Sequence, residues 1–107
     1  VSDGTVKNKG WLEKGGWRIG IISNSSTYYY YAHLDSYTNL KIGDYVRAGE
    51  LLGYMGDSGY GAEGTVGQFP VHLHFGIYFY ENGKEISVNP YEMLLFLENK
   101  KLIYSYF

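Results

Sequence analysis

The chain has 107 residues, 45% of them hydrophobic and 19% charged, which is one small domain able to bury a single modest core rather than a disordered tail. Nine Lys and Arg against eleven Asp and Glu leave a net charge of −2, so there is no cationic surplus of the kind a nucleic-acid binder draws on. Cysteine is absent, which excludes a disulfide scaffold, a thiolate zinc knuckle and a cysteine nucleophile. The longest apolar run, Met93 to Leu97, falls far short of the about 20 residues that span a bilayer. Residues 1 to 10 hold no apolar core of a signal peptide and no initiator Met.

Fifteen glycines and thirteen tyrosines against two prolines predict short strands joined by tight turns. In chain order, Gly4 to Asn8 reads as a strand and Asn8-Lys9-Gly10 as a turn. Trp17 to Ile22 and Thr27 to His33 read as a hairpin around Ser23-Asn24-Ser25-Ser26. A loop is expected from Leu34 to Gly43, then short strands at Asp44 to Val46 and Glu50 to Met55. Gly56 to Pro70 has no periodicity and reads as a long functional loop. Val71 to Tyr80 is the best strand pattern, followed by a turn at Glu81 to Lys84. Asn89 and Pro90 then suit the cap and first position of a helix over Tyr91 to Asn99. Its Tyr91, Leu94, Leu95 and Glu98 stripe is expected to pack on the sheet or on a neighbouring module. The apolar tail, Lys101 to Phe107, is expected to pair as an edge strand or to touch another subunit. The fold class is thus mainly β, an antiparallel sheet or sandwich with one short C-terminal helix.

Chemistry concentrates on three histidines: His33, His72 and His74. Strand side chains alternate faces, so Val71, Leu73, Phe75, Ile77 and Phe79 share a core face and His72, His74, Gly76 and Tyr78 share the other. The two imidazoles stand about 6.5 to 7 Å apart along such a strand, close enough for one centre. If the tyrosine strand runs beside them, His33 joins the same cleft. Neutral imidazole is both a zinc ligand and an acid or base near neutrality. Tyr29 and Tyr31 are in phase with His33 and are the candidates for a stacking wall, with Tyr60 at the rim. Plain β propensity and core filling account for the same tyrosines. Three histidines could also form a metal site by themselves, leaving Asp35 or Asp57 as substitute bases. Asp57-Ser58-Gly59 reads first as a turn in which Asp caps its own backbone.

Tyr31-Ala32-His33-Leu34, the run Leu40 to Gly53, Gly56-Asp57-Ser58-Gly59 and His72-Leu73-His74-Phe75-Gly76-Ile77 occur in this order. The set resembles the lysostaphin-type zinc endopeptidases, peptidoglycan hydrolases of the duplicated hybrid motif fold, over about residues 1 to 95. The resemblance implies His74 as a zinc ligand and His33 and His72 as catalytic histidines in metal-assisted amide hydrolysis. It further implies a peptidoglycan peptide as substrate and a place outside the cell, in the wall or periplasm. The family's other two ligands lie in an upstream His-x-x-x-Asp motif, and no histidine precedes His33 here. The expectation is a single peptidase-type domain over residues 1–107 without its N-terminal metal-ligand segment, that segment being left out, cleaved off or carried on another chain. The rival expectation is a degenerate member that binds wall polymer or a protein partner without hydrolysis. The glycine pattern around Gly43 to Gly53 also occurs in lipoyl and biotinyl carriers, but no lysine stands at the hairpin tip.

Overall fold

The computed structural model describes residues 1–98. Seven strands form one antiparallel sheet: β1 (Gly4–Leu12), β2 (Gly16–Ile22), β3 (Tyr28–Tyr37), β4 (Tyr45–Val46), β5 (Gly53–Met55), β6 (His74–Glu81) and β7 (Lys84–Val88). The path across the sheet is β4-β1-β2-β3-β6-β7, with β5 added beside β3. A single helix, α1 (Tyr91–Glu98), follows. One face of the sheet packs Val6, Ile19, Ile21, Tyr31 and Leu34 with Val46 into the core. Leu40 and Leu52, from the segment that folds back over this face, complete its cover.

Two strands are longer than the sequence predicts. The expected turn at Asn8-Lys9-Gly10 is absent, and β1 shifts register between Val6 and Asn8 and runs on to Leu12. Cross-strand packing explains this: Trp11 pairs with Trp17, their rings edge-to-face at 5.1 Å, and the Gly10 N–H donates to the Tyr37 hydroxyl at 3.1 Å. The loop expected from Leu34 begins only after Tyr37, because β5 pairs with Leu34 to Tyr37 and holds that stretch extended.

Some strands start later than the sequence predicts: β4 at Tyr45 rather than Asp44, β5 at Gly53 rather than Glu50, and β6 most consequentially. β6 begins at His74, and Val71 and Leu73 are exposed (57% and 42%), so neither joins the core face assigned to them. Ile77 on that face is buried, and Phe75 packs against the core. The reason is a change of partner. β3 pairs with β6 from Tyr28 to Ala32, then with β5 from Leu34 onward, leaving residue 72 only an isolated bridge to Gly56.

The start of α1 is as the sequence implies: the Asn89 side chain accepts from the Tyr91 N–H at 3.0 Å, with Pro90 between them. Its stripe does not pack on the sheet. Tyr91, Leu94 and Leu95 are all exposed. The helix end expected at Asn99 and the tail strand lie outside the described residues.

Candidate functional site

β3 and β6 are neighbours, with Ala32 opposite His74, and this pairing brings the three histidines together. The ring centres of His33 and His72 are 4.8 Å apart, and those of His33 and His74 are 5.8 Å apart.

His33 reaches the cleft by a break in the strand. Strict alternation would put it on the face of Tyr29 and Tyr31, which is the core face. Instead His33 has a φ of 61°, and the register of β3 against β2 slips between the Ile19 and Trp17 pairs. The irregular turn throws the imidazole across to the side of His74. Two hydrogen bonds hold it there. The His33 N–H donates to the Gly15 carbonyl at 2.7 Å, and Nδ1 lies 2.7 Å from the Ser58 carbonyl. A carbonyl only accepts, so Nδ1 carries the proton and Nε2 keeps its lone pair. His72 is set the same way: its Nδ1 lies 2.9 Å from the Pro70 carbonyl, and its N–H donates to the Gly56 carbonyl at 3.1 Å. Both rings therefore present a basic Nε2. Burial, and then the proximity of His72 and His74, hold the His33 imidazole below its usual pKa, against an upward pull from the Ser58 carbonyl. His33 is accordingly neutral at pH 7.

The walls are aromatic. Phe69 stands edge-on to His33 at 4.5 Å and to His72 at 4.9 Å. Tyr60 stacks on His33 at 6.0 Å and 19°, and Tyr30 meets His74 edge-on at 5.9 Å. Tyr60 has a φ of 57°, so two of the four described non-glycine residues with positive φ are stacked on each other in this site. A depression of about 480 Å³ is lined by His33, Tyr60, Gln68, Phe69, His72 and His74. A smaller one, about 210 Å³, lies between Lys14, Tyr30, His33, Tyr60 and His74.

Tyr60 is thus at the rim, where the sequence reading puts it. Tyr29 and Tyr31 are not in the cleft: Tyr29 stacks on Phe75, and Tyr31 is a buried core residue. The phase argument for them fails because His33, not the tyrosines, leaves the alternation. Tyr30 takes the wall position instead. Phe69 and Gln68 carry no sequence signal that marks them, since each is brought in by the aperiodic loop, whereas Ser58 stands in Gly56-Asp57-Ser58-Gly59, one of the runs that carry the resemblance.

The Asp57-Ser58-Gly59 reading also needs correction. Asp57 makes no side-chain hydrogen bond among the described residues, whereas Ser58 is 1% exposed and fully engaged. Its hydroxyl donates to the Leu34 carbonyl at 2.6 Å and accepts from the Trp17 N–H at 3.1 Å, tying the loop to β2 and β3.

Among the described residues, no group of three or more His, Cys, Asp or Glu side chains is arranged to hold a metal ion. A self-sufficient three-histidine site is therefore not formed. What the chain does offer is His74, exposed like His72 and with its ring centre 5.8 Å from that of His33, and this donor set fits one corner of a metallohydrolase centre.

Residues 1–90 match the model of Peptidase family M23, a family of metallopeptidases. The chain is 47% identical over 92 residues to the L-Ala–D-Glu endopeptidase of Bacillus subtilis, covering 85% of this chain and 28% of that protein. It is 39% identical over 77 residues to lysostaphin of Staphylococcus simulans, covering 70% of this chain and 14% of that protein. The chain thus spans less than a third of the length of these relatives. Among solved structures, one described as a candidate glycyl-glycine endopeptidase lytM from Ruminococcus gnavus superposes with a TM-score of 0.90 at 65% identity, over 96% of this chain and 42% of that one. The catalytic domain of lysostaphin from Staphylococcus simulans superposes with a TM-score of 0.67 at 33% identity, over 89% of this chain and 67% of that domain. By sequence and fold, this chain belongs to peptidase family M23.

Proposed function

We propose that this chain is catalytic-domain sequence of a zinc-dependent endopeptidase that hydrolyses peptide bonds of bacterial cell-wall peptidoglycan, acting outside the cell membrane where that polymer lies. The observation that carries the reading is the meeting of three imidazoles, two of them held through Nδ1 by backbone carbonyls so that Nε2 keeps its lone pair. The endopeptidases to which the chain is similar support the reaction class. A wall-binding module without catalysis has no use for His33 held neutral in a left-handed backbone conformation, so the non-catalytic reading is not favoured.

In this reading His74 is a zinc ligand, and the other ligands come from residues other than those described. Zinc, when bound, supplies Lewis acidity toward a water and the scissile carbonyl. His33, neutral and with an open Nε2, accepts a proton from the attacking water. His72, whose Nδ1 is likewise held on a carbonyl and whose Nε2 keeps its lone pair, accepts a hydrogen bond from the attacking water and orients it. Phe69 and Tyr60 exclude water from one side of the cleft, and Tyr60 and Tyr30 offer faces against which a peptide can lie.

The test is digestion of purified peptidoglycan by the full-length protein, read as new amino groups. Activity should vanish with a chelator, return with zinc, and fall at least about 100-fold in both His33→Ala and His72→Ala. Zinc-restored wild-type protein that releases no amino groups would overturn the proposal.

A further inference from the structure

The face of the sheet that carries His74 continues away from the histidines as a groove. Residues directly opposite in adjacent strands share a face, so Gly20, Tyr30 and Gly76 lie together in one row, with Tyr28 and Tyr78 in the next. Arg18, two residues before Gly20, is on the same side. The glycines make room for the aromatic rings. A Cβ on Gly20 would strike the Tyr28 hydroxyl, one on Gly15 would strike the Tyr30 hydroxyl, and one on Gly76 would come within 2.7 Å of the Tyr78 ring. The result is a groove of about 380 Å³ that shares Tyr30 with the depression at His33 and His74.

Arg18 lines this groove, and its Nη1 is buried with no hydrogen-bond partner among the described residues. Native structures seldom leave such a group unpaired, because desolvating a guanidinium without an acceptor costs more than a lost neutral hydrogen bond. Glu85 lines the groove from β7 but is no partner to that nitrogen. The neighbouring donors suit an anion as well. The Tyr30 hydroxyl group belongs to a residue that lines the same groove, and the Tyr28 hydroxyl accepts from the Asn8 amide at 3.0 Å and so keeps its own proton to donate.

We propose that Arg18 is a specificity residue that binds a carboxylate of the peptide whose scissile bond lies at His33 and His74. This rests on the endopeptidase reading and narrows it: the preferred substrate carries an acidic group beside the bond cut, rather than a run of uncharged residues. Guanidinium and carboxylate pair through charge-assisted hydrogen bonds, and a groove with one unpaired cation and only a single carboxylate, at its far side, selects for that charge.

The experiment is a binding titration, followed by NMR of the isotope-labelled chain, with matched short peptides blocked at both ends that differ only as Glu against Gln. A third peptide, Gln-containing with a free C-terminus, separates a side-chain carboxylate from a terminal one. The Glu or the free-acid peptide should bind about tenfold or more tightly than the neutral twin, with shifts at Arg18, Tyr30 and Tyr78. Arg18→Gln should bring the two affinities within about twofold, and Arg18→Lys should retain part of the preference. Equal binding of acidic and neutral peptides by the wild-type chain, an unchanged preference in R18Q, or no binding of either peptide would overturn the proposal. The comparison of peptides on the wild-type chain stands even if R18Q fails to fold. Peptidoglycan digestion by the full-length protein separates the two readings. Hydrolysis without charge preference overturns the role of Arg18 alone, and charge preference without hydrolysis overturns the endopeptidase reading alone.

Discussion

Ser58→Ala removes one oxygen from a site that is 1% exposed, and its effect can be worked out from two hydrogen bonds. The hydroxyl donates to the Leu34 carbonyl at 2.6 Å and accepts from the Trp17 N–H at 3.1 Å. Losing a typical buried hydrogen bond costs about 1 kcal/mol, and leaving the Trp17 N–H without an acceptor adds about 1–2 kcal/mol. The sum is about 2–3 kcal/mol, a fall in Tm of roughly 10–20 °C for a domain near this size. There is a second consequence. The Ser58 carbonyl is the acceptor for His33 Nδ1, so once the loop loosens, the imidazole loses what fixes its proton on Nδ1. Urea unfolding gives the first quantity, and ¹⁵N shifts of the His33 ring nitrogens give the second. We expect the variant to fold below its lowered Tm but to show His33 as a mixture of tautomers. Loss of less than about 0.5 kcal/mol, the scale of a neutral surface change, with His33 still wholly protonated on Nδ1, would refute the reasoning.

Three further outcomes are expected. Gly59 has a φ of 127°, and a Cβ there would strike the Lys14 carbonyl and sit 3.1 Å from His33 Nδ1, so Gly59→Ala should cost several times more stability than Gly64→Ala, which has a φ of 91° and open space around it; denaturant midpoints of the two variants decide this. His33 is held neutral in the fold while an unfolded histidine titrates near about 6.5, so the unfolded chain takes up the proton first: this contribution to stability is complete above about pH 6.5 and is lost as the pH falls toward the folded pKa. A urea midpoint that falls by as much from pH 7.5 to 5.5 in His33→Gln as in wild type would contradict that assignment. His74→Ala should abolish zinc uptake by the full-length protein while His33→Ala and His72→Ala retain it, as calorimetric titration with zinc would show.

Local chemistry explains what the sequence makes legible. The Ser23 to Ser26 turn joins β2 to β3 as predicted, and the Asn89-Pro90 start of α1 is equally direct, because turn and cap geometry depend on a few adjacent residues. The alternation of Phe75 and Ile77 toward the core, and of His74 away from it, holds wherever β6 has a continuous partner. It fails at Val71 and Leu73, where β3 has turned to β5, since partner exchange is a property of two distant segments and leaves no mark on either one. α1 is a similar case: the spacing of Tyr91, Leu94 and Leu95 makes a stripe without specifying what it meets.

His33 unites these failures and carries most of the site. A non-glycine residue with a φ of 61° costs on the order of 1–3 kcal/mol, and Tyr60 at 57° adds a second such cost beside it. Strained residues persist only where their surroundings over-determine them, and here those surroundings come from three parts of the chain. Gly15 accepts from the His33 backbone, and Ser58 accepts from its ring. Trp17 and Leu34 hold Ser58, and Gly16 and Gly59 are bare of side chains where any Cβ would collide with this clamp. The Gly56-Asp57-Ser58-Gly59 segment is therefore a support for one imidazole rather than a free turn, and the aspartate is its least engaged member. Because His33 crosses to the far face only through this support, the tyrosine beside the reacting groups is Tyr30, and Tyr29 and Tyr31 fall to the core. The identity of the wall residue and the conformation of the histidine follow from a single backbone irregularity, whose physical cause lies 25 residues downstream at Ser58.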